Sequence, residues 1–419
     1  LQGAMPGDQV EIQLFDRPRV RGSREREVVA IVSMRQEFVG TVERQGAGKL
    51  VLVPDDAPET PLRIRRSFQQ DVEPGERAAA LLSRRADNHE DHRVEIVRVF
   101  GSGESAKDCA RSILYSQDLQ KQFPPEVLKE AQALENFEIP AVELVERLDL
   151  RDWDIFTIDG ASTKDIDDAI SLETTNKGWR LGVHIADVSW FVAAHSELDR
   201  EAFRRGTSVY YADDVIPMLP KELSNGVCSL NEGVDRLAFS CLMELDKQGG
   251  LQSYRFVKTI IHSRVKGVYT ELNQLLAGEA DQTIQQKYTM VLPQLVEMQK
   301  LHQVLNARRK KRGGMEIESG ESKLLLDEQG KCIGVCKAQR GQTEEMIESF
   351  MLMANTCAAI EGKSKGLPFV YRVHTAPDEE RIERLKTMLK AAGVNVSLSD
   401  QPSPLEFSRL LDKTKGTGL

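Results

Sequence analysis

The stretch Phe156–Glu173 reads FTIDGASTKDIDDAISLE, and it holds four aspartates, Asp159, Asp165, Asp167 and Asp168, against one lysine, Lys164. Asp159 closes the run DIFTID, which reads as a strand. The turn-forming GAST follows, then Asp165–Asp168, then the apolar AISL. In an extended segment Asp165 and Asp167 point to the same side. A turn before them folds Asp159 back toward them. Carboxylates gathered this closely repel one another and raise each other's pKa. A divalent cation removes that repulsion: Mg²⁺ is held by a few carboxylates together with substrate phosphates. Two such ions can activate a water and stabilise a leaving oxygen in phosphodiester cleavage.

Three other readings compete. A calcium loop of EF-hand type, counted from Asp165, needs Gly and Glu where the chain has Ile170 and Asn176, so that reading fails. An aspartyl-phosphate phosphatase places its Asp-x-Asp directly after an apolar strand, whereas Ser162-Thr163-Lys164 precedes Asp165 here. Turn aspartates that cap backbone amides explain any one of the four but not all of them. Metal binding is the reading the spacing favours.

Outward from this stretch, AISLETTNKGWRLGVHIADVSWFV reads as two strands joined at a Thr/Asn/Gly turn. Met346, Phe350, Ala354 and Cys357 fall on one helical face, and Ile382, Leu385 and Leu389 on another that stops at Gly393. Before it, Val127, Ala131 and Leu134 have helical spacing, with Pro125 in a first turn. The first hundred residues are strand-like. DQVEIQLF puts Val10, Ile12 and Leu14 on one face, and FVGTVERQGAGKLVLVPDD makes two strands around a glycine turn. In RVEIVRVFG the apolar positions slip from Val94 and Ile96 to Val97 and Val99, which fits a bulge or a strand buried on both faces. Short, closely spaced strands point to small β-barrels.

The bulk numbers are compatible with this. The chain has 419 residues, 40% hydrophobic and 29% charged, which suits a soluble protein of two or three domains. No apolar run approaches the roughly 18 residues of a membrane span, and the opening LQGAMPGDQV has no secretion leader. The chain opens without an initiator Met, so an upstream N-terminus is expected. Six cysteines without a CxxC pair read as buried free thiols in a reducing cytoplasm. The net charge of −9 leaves room for a locally basic channel. Arg17, Arg19, Arg21, Arg24 and Arg26 form one basic cluster, and Arg308-Arg309-Lys310-Lys311-Arg312 another; a solvated face is the plain alternative for each.

FTIDGASTKDIDDAISLE resembles the signature of the ribonuclease II/ribonuclease R (RNB) family of 3′–5′ exoribonucleases. GVHIADVSWFV, RGTSVYYADDVIPMLPKELSNGVCSLN, IESFMLMAN and VYRVH resemble further family motifs in the same order, and RGTSVY with VIPMLP is closer to the ribonuclease R branch. The resemblance implies an α+β multidomain fold with N-terminal cold-shock (OB-type) β-barrels before a mixed α/β catalytic domain. Residues 1–35 would end a first barrel, 36–100 form a second, 101–150 a helical connector, and 151–419 an incomplete catalytic domain. It further implies processive, Mg²⁺-assisted hydrolysis of single-stranded RNA to nucleoside 5′-monophosphates, with two ions once substrate is bound. The family's metal-site aspartates carry over to Asp159, Asp165, Asp167 and Asp168, with Asp167 and Asp168 catalytic. The tyrosine that stacks near the 3′-terminal base matches Tyr210, with Tyr211 one position off.

Arg308, Arg309 and Lys310 gain weight as RNA phosphate contacts, and His374 is a candidate for the RNA path. His184, in an apolar run, reads as a satisfied core histidine. Asp187 reads as the cap of the turn after its strand. The barrels' few aromatics, Phe15, Phe38, Phe68 and Phe100, predict more backbone contact than stacking. The family continues past the position of Leu419 with an arginine block and an S1-type barrel, so an RNA-binding fragment that keeps the metal site without turnover is the alternative function. Protein partners, RNA targets, duplex unwinding and oligomeric state are not legible.

Overall fold

A computed structural model describes residues 4–14, 26–46, 48–86, 91–211, 214–315, 322–327, 331–337, 340–373, 375–394 and 398–415. The chain divides into two compact units. The first comprises Leu1–Phe123 with two later segments, Arg205–Met218 and Glu321–Ala338, and the second Pro124–Arg204, Leu219–Gly320 and Gln339–Leu419. A linear division would assign both later segments to the catalytic part.

In the first unit, β1 (Gln9–Leu14) and β2 (Arg26–Ser33) form an antiparallel pair. A closed barrel follows, built from β3 (Glu37–Gln45), β4 (Lys49–Pro54), β5 (Leu62–Ile64), β6 (Glu76–Arg84) and β7 (Arg93–Ser102). Its order is β3-β4-β5-β7-β6, and β6 closes onto β3. The third and fifth strands run parallel and all other neighbours antiparallel. This is the five-stranded Greek-key barrel of the OB fold. Phe38, Val42, Leu52, Leu62, Ile64, Ala78 and Val94 fill it. The slip in β7 is a bulge: Ala79 pairs with Arg98 and Ala80 with Ile96, which leaves Val97 between them and 45% exposed. Helix α1 (Ala106–Ser116) is capped by Ser105 and packs Tyr115 against Phe100. Two hairpins from later in the chain, β12 (Val209–Tyr211) with β13 (Asp214–Ile216) and β16 (Ser322–Leu326) with β17 (Cys332–Lys337), belong to this unit.

The second unit opens with α2 (Pro125–Gln132) and α3 (Ala141–Glu146), then β8 (Leu148–Asp149). Next come β9 (Ile155–Asp159), β10 (Asp168–Thr175), β11 (Gly178–Ala186), α4 (Val188–Phe191) and α5 (Glu197–Arg205). The long strands β14 (Asp235–Asp246) and β15 (Leu251–Val268) follow. Helices α6 (Tyr269–Ala277), α7 (Gln282–Tyr288), α8 (Leu292–Lys311), α9 (Gln342–Ser364), α10 (Glu379–Ala391) and α11 (Pro404–Thr414) complete it.

Its sheet has the order β14-β11-β10-β9-β15-β8, and β14 pairs with β15 as well, so the ladder returns on itself. β15 reaches both neighbours because it is long: Leu251–His262 pairs with β14, and Ser263–Val268 runs parallel to β9. Alternation along the central strands sends side chains into two cores. Phe156, Ile158, Ile170 and Leu172 join one face under α8 and α9, with Leu295, Met298, Leu301, Met346 and Phe350. Ile155, Ile166 and Ala169 join the other, with Ala186, Ala238 and Ile261. Each such side chain contributes roughly 1.5–3 kcal/mol by burial, and sheets covered on both faces require continuous apolar runs like these.

Candidate metal centre

The aspartates lie where β9 and β10 meet. Asp159 ends β9 and is in register with Val268, and Asp168 begins β10 opposite Ile185. Between them the Thr163 N–H donates to Gly160 O at 3.1 Å, which makes the expected turn. Buried Ile166 anchors the loop in the core beneath, so Asp165 and Asp167 flank an apolar pin. Close approach of β15 to β9 needs Gly267, where a Cβ would stand 2.7 Å from Thr157 O.

The electrostatics follow from this crowding. Burial raises Asp168 to about 7, helped by the charges of Asp167 and Asp159. Burial likewise raises Asp159 to about 6, with Asp167 and Asp165 adding to it and Lys266 opposing. Asp167 is exposed at the surface of the loop. Partial desolvation still raises its pKa, with a backbone hydrogen bond opposing and Asp165 adding to the rise. Asp159 Oδ2 and Asp168 Oδ2 are buried and accept no hydrogen bond. Buried carboxylate oxygens are ordinarily paired, and an oxygen-seeking cation is the partner that suits a set of hard donors. Among the described residues no three acidic, His or Cys side chains already stand as a ligand cage. The residues therefore fit a cation that draws the carboxylates together, in company with substrate phosphate, and not a preformed structural metal site.

Further residues border the loop that spacing alone did not single out. The Tyr269 hydroxyl is pushed up by burial and then by Asp159, Asp168, Glu344 and Asp167, so it stands among them. Its helix is stitched to the start of α9. Asn273 Nδ2 donates to Glu344 Oε2 at 2.9 Å, and the Thr343 N–H donates to Asn273 Oδ1 at 3.0 Å. Lys266 and Ser229 hold the loop backbone. These groups come from distant parts of the chain, and only the fold joins them to the aspartates.

His184 is a core residue. Its Nε2 is 3.0 Å from Ser171 Oγ and its Nδ1 2.7 Å from Ser240 Oγ, which continues to Thr259 Oγ1 at 2.7 Å. Complete burial pushes its pKa down to about 3 and keeps it neutral. The network requires Gly182, where a Cβ would meet Ser171 Oγ at 2.4 Å. Asp187 makes no side-chain cap bond. It is buried and paired with Arg147 Nη2 at 2.7 Å, an arginine that also takes Glu143, so it serves an ion pair instead of the expected cap.

The other expected RNA contacts fall as follows. Tyr210 is on β12 in the first unit and 69% exposed. Its neighbour Tyr211 donates to Asp214 Oδ2 at 3.2 Å. Arg308, Arg309 and Lys310 are on the last turn of α8, in the second unit. Arg309 pairs with Glu348 at 3.6 Å, and Arg308 donates to Gln248 O at 3.4 Å. Cations there also oppose the helix dipole. His374, Phe15 and Arg17, Arg19, Arg21 and Arg24 lie outside the described residues, as does the Arg26 side chain. Phe38 and Phe100 are buried and unavailable for stacking. All six cysteines are free; Cys228, Cys241 and Cys357 are buried, whereas Cys332, on the edge hairpin β16–β17, is exposed.

The RNB domain family matches residues 147–418, which include this loop and its sheet. Ribonuclease R of Thermotoga maritima is 38% identical over 390 residues, 91% of this chain and 54% of that protein. Ribonuclease R of Escherichia coli is 33% identical over 417 residues, 97% of this chain and 50% of that protein. The chain thus spans about half the length of these curated relatives. The solved structure of Mycoplasma genitalium RNase R in complex with ribose methylated single-stranded RNA shares the fold, with a TM-score of 0.83 at 24% identity, covering 100% of this chain and 66% of that one. A barrel of OB topology, an aspartate loop at a strand junction and a family match across the second unit's sheet lead to one conclusion: this chain belongs to the RNB domain family, and the relatives named here are ribonuclease R proteins.

Proposed function

We propose that this chain carries the nucleolytic centre of a Mg²⁺-dependent 3′-to-5′ exoribonuclease that degrades single-stranded RNA processively to nucleoside 5′-monophosphates. The observation that carries the reading is the pair of buried, unpartnered oxygens, Asp159 Oδ2 and Asp168 Oδ2, inside a coupled set of carboxylates. Family membership and the RNA bound in the Mycoplasma genitalium structure support the substrate class.

Asp159, Asp165, Asp167 and Asp168 would hold the divalent cation, two ions once substrate is bound. Bound there, the ions supply positive charge opposite the scissile phosphate and make water more acidic. The chain's own residues do the rest. Ile166 and the flanking strands fix where the carboxylates stand. Tyr210 offers an exposed ring on which a base stacks without being identified, as a nonspecific nuclease requires. Arg308, Arg309 and Lys310 add phosphate contacts. The barrel binds backbone more than bases, because Phe38 and Phe68 pack into its core and Phe100 packs against Tyr115 of α1. A cytoplasmic location belongs to the same proposal, supported by six free cysteines.

The test is a 5′-labelled single-stranded RNA incubated with the chain in Mg²⁺ and in EDTA, beside Asp167→Asn. Products that shorten from the 3′ end in Mg²⁺ alone, absent in the variant, are expected. RNA bound but left intact by the parent chain would establish the second reading, an RNA-binding fragment without turnover.

A further inference from the structure

The aspartate loop is held at two points, and neither uses an aspartate side chain. At its first turn, Lys266 of β15 extends Nζ to Thr163 O at 2.5 Å and Ala161 O at 3.4 Å. The lysine's own N–H donates to Glu232 Oε2 at 2.9 Å, so its position is fixed. At the second point, Ser229 Oγ donates to Lys164 O at 2.8 Å and accepts the Ile166 N–H at 3.1 Å. The Leu230 N–H donates to Ile166 O at 2.9 Å beside it. Ser229 is secured in turn by Arg236, whose Nε donates to Ser229 O at 2.8 Å and Nη2 to Gly226 O at 3.2 Å. The segment Glu222–Val227 leading to Ser229 is a π-helical turn with Gly226 at φ −101°, ψ −108°. Such turns are rare and recur at functional sites.

We infer that Lys266 and Ser229 are positioning residues that fix the backbone of the aspartate loop before any cation arrives, so that its carboxylates can close on one. The inference rests on the reading of the aspartates as a cation site. Backbone carbonyls at positions 161, 163 and 164 and the amide at 166 are tied down, so the four carboxylates that lie between and beside them have few arrangements left. A cation then meets a loop backbone already fixed and has only the carboxylate side chains left to draw together. Groups that orient metal ligands without touching the metal commonly govern affinity by about 10–100-fold.

The sign of the Lys266 effect separates this from a simpler idea. A lysine that merely supplies charge repels a nearby cation, so its removal would tighten binding. A lysine that holds carbonyls loosens the loop when removed, so binding weakens. Ser229 makes the same point with no change of charge.

The experiment titrates Mn²⁺ into the full chain at pH 8 and reads free Mn²⁺ by electron paramagnetic resonance. Lys266→Met, Lys266→Arg, Ser229→Ala and Asp168→Asn are compared with the parent. Amide exchange of residues 160–168 is followed in the metal-free proteins, with β14 and β15 as internal reference for an intact fold. Expected are loss of binding in Asp168→Asn, about 10-fold or more weakening in Lys266→Met and Ser229→Ala, and recovery in Lys266→Arg. Faster exchange confined to the loop accompanies the weakening. Unchanged or tighter binding in Lys266→Met together with parental affinity in Ser229→Ala overturns the inference while leaving the cation site in place. Equal binding by the parent and Asp168→Asn removes the cation site, and the inference with it.

Discussion

A carboxylic acid held at about 7, as Asp168 is, is half protonated in neutral solution when no cation is bound. Asp159, at about 6, is mostly ionised there and takes up its proton about one pH unit lower. Both folded-state values lie above that of an exposed aspartate. The stability tied to their protonated forms is therefore fully present below about pH 4 and lost as pH rises through about 6 and 7. The metal-free protein should melt at a lower temperature at pH 8 than at pH 5. Mg²⁺ should reverse the loss at pH 8, by about 2.7 kcal/mol at a hundredfold excess over Kd. Asp168→Asn should raise the metal-free Tm at pH 8, by about 2–4 °C per kcal/mol relieved at this domain size, and do little at pH 5. Differential scanning calorimetry at the two pH values checks all of this. At this scale the sequence was legible where residues lay close together: four aspartates in one short stretch announced their own repulsion. Tyr269, Lys266, Ser229 and Glu344 were not legible, because nothing local marks a residue that reaches the loop from another strand or helix.

Elements were read well where one periodicity dominated. The face Met346–Phe350–Ala354–Cys357 of α9 is buried along its length, and Gly393 follows α10 with φ 74°. The slip in β7 admitted two readings. Only the pairing partner decides, since a bulge is a property of two strands. Asp187 was misread for a similar reason: a cap is local, but the ion pair with Arg147 forms across elements. Within the sheet, Gly182→Ala should force Ser171 and His184 apart, costing about 1–3 kcal/mol as overpacking does, visible as a lower denaturation midpoint. At the end of α8, Arg308→Gln with Lys310→Gln should weaken RNA binding and reduce the slope of log K against log salt by about 0.7 per lost phosphate contact with a single strand. An unchanged slope would leave these residues as helix-terminal charges only.

At the level of the whole molecule, family motifs legible in the sequence foretold an OB-type barrel and a mixed α/β sheet, and both are present. The grouping of Arg205–Met218 and Glu321–Ala338 with the barrel unit was not legible, because chain order says little about which segments return. The central claim concerns one place in the second unit, the junction of β9 and β10. The most direct measurement is anomalous diffraction from crystals of the chain grown with Mn²⁺ and a short 2′-O-methylated RNA. An anomalous peak among the carboxylates of Asp159, Asp165, Asp167 and Asp168, adjoining an RNA phosphate, is the predicted result. RNA density at the loop with no anomalous peak there would contradict the account.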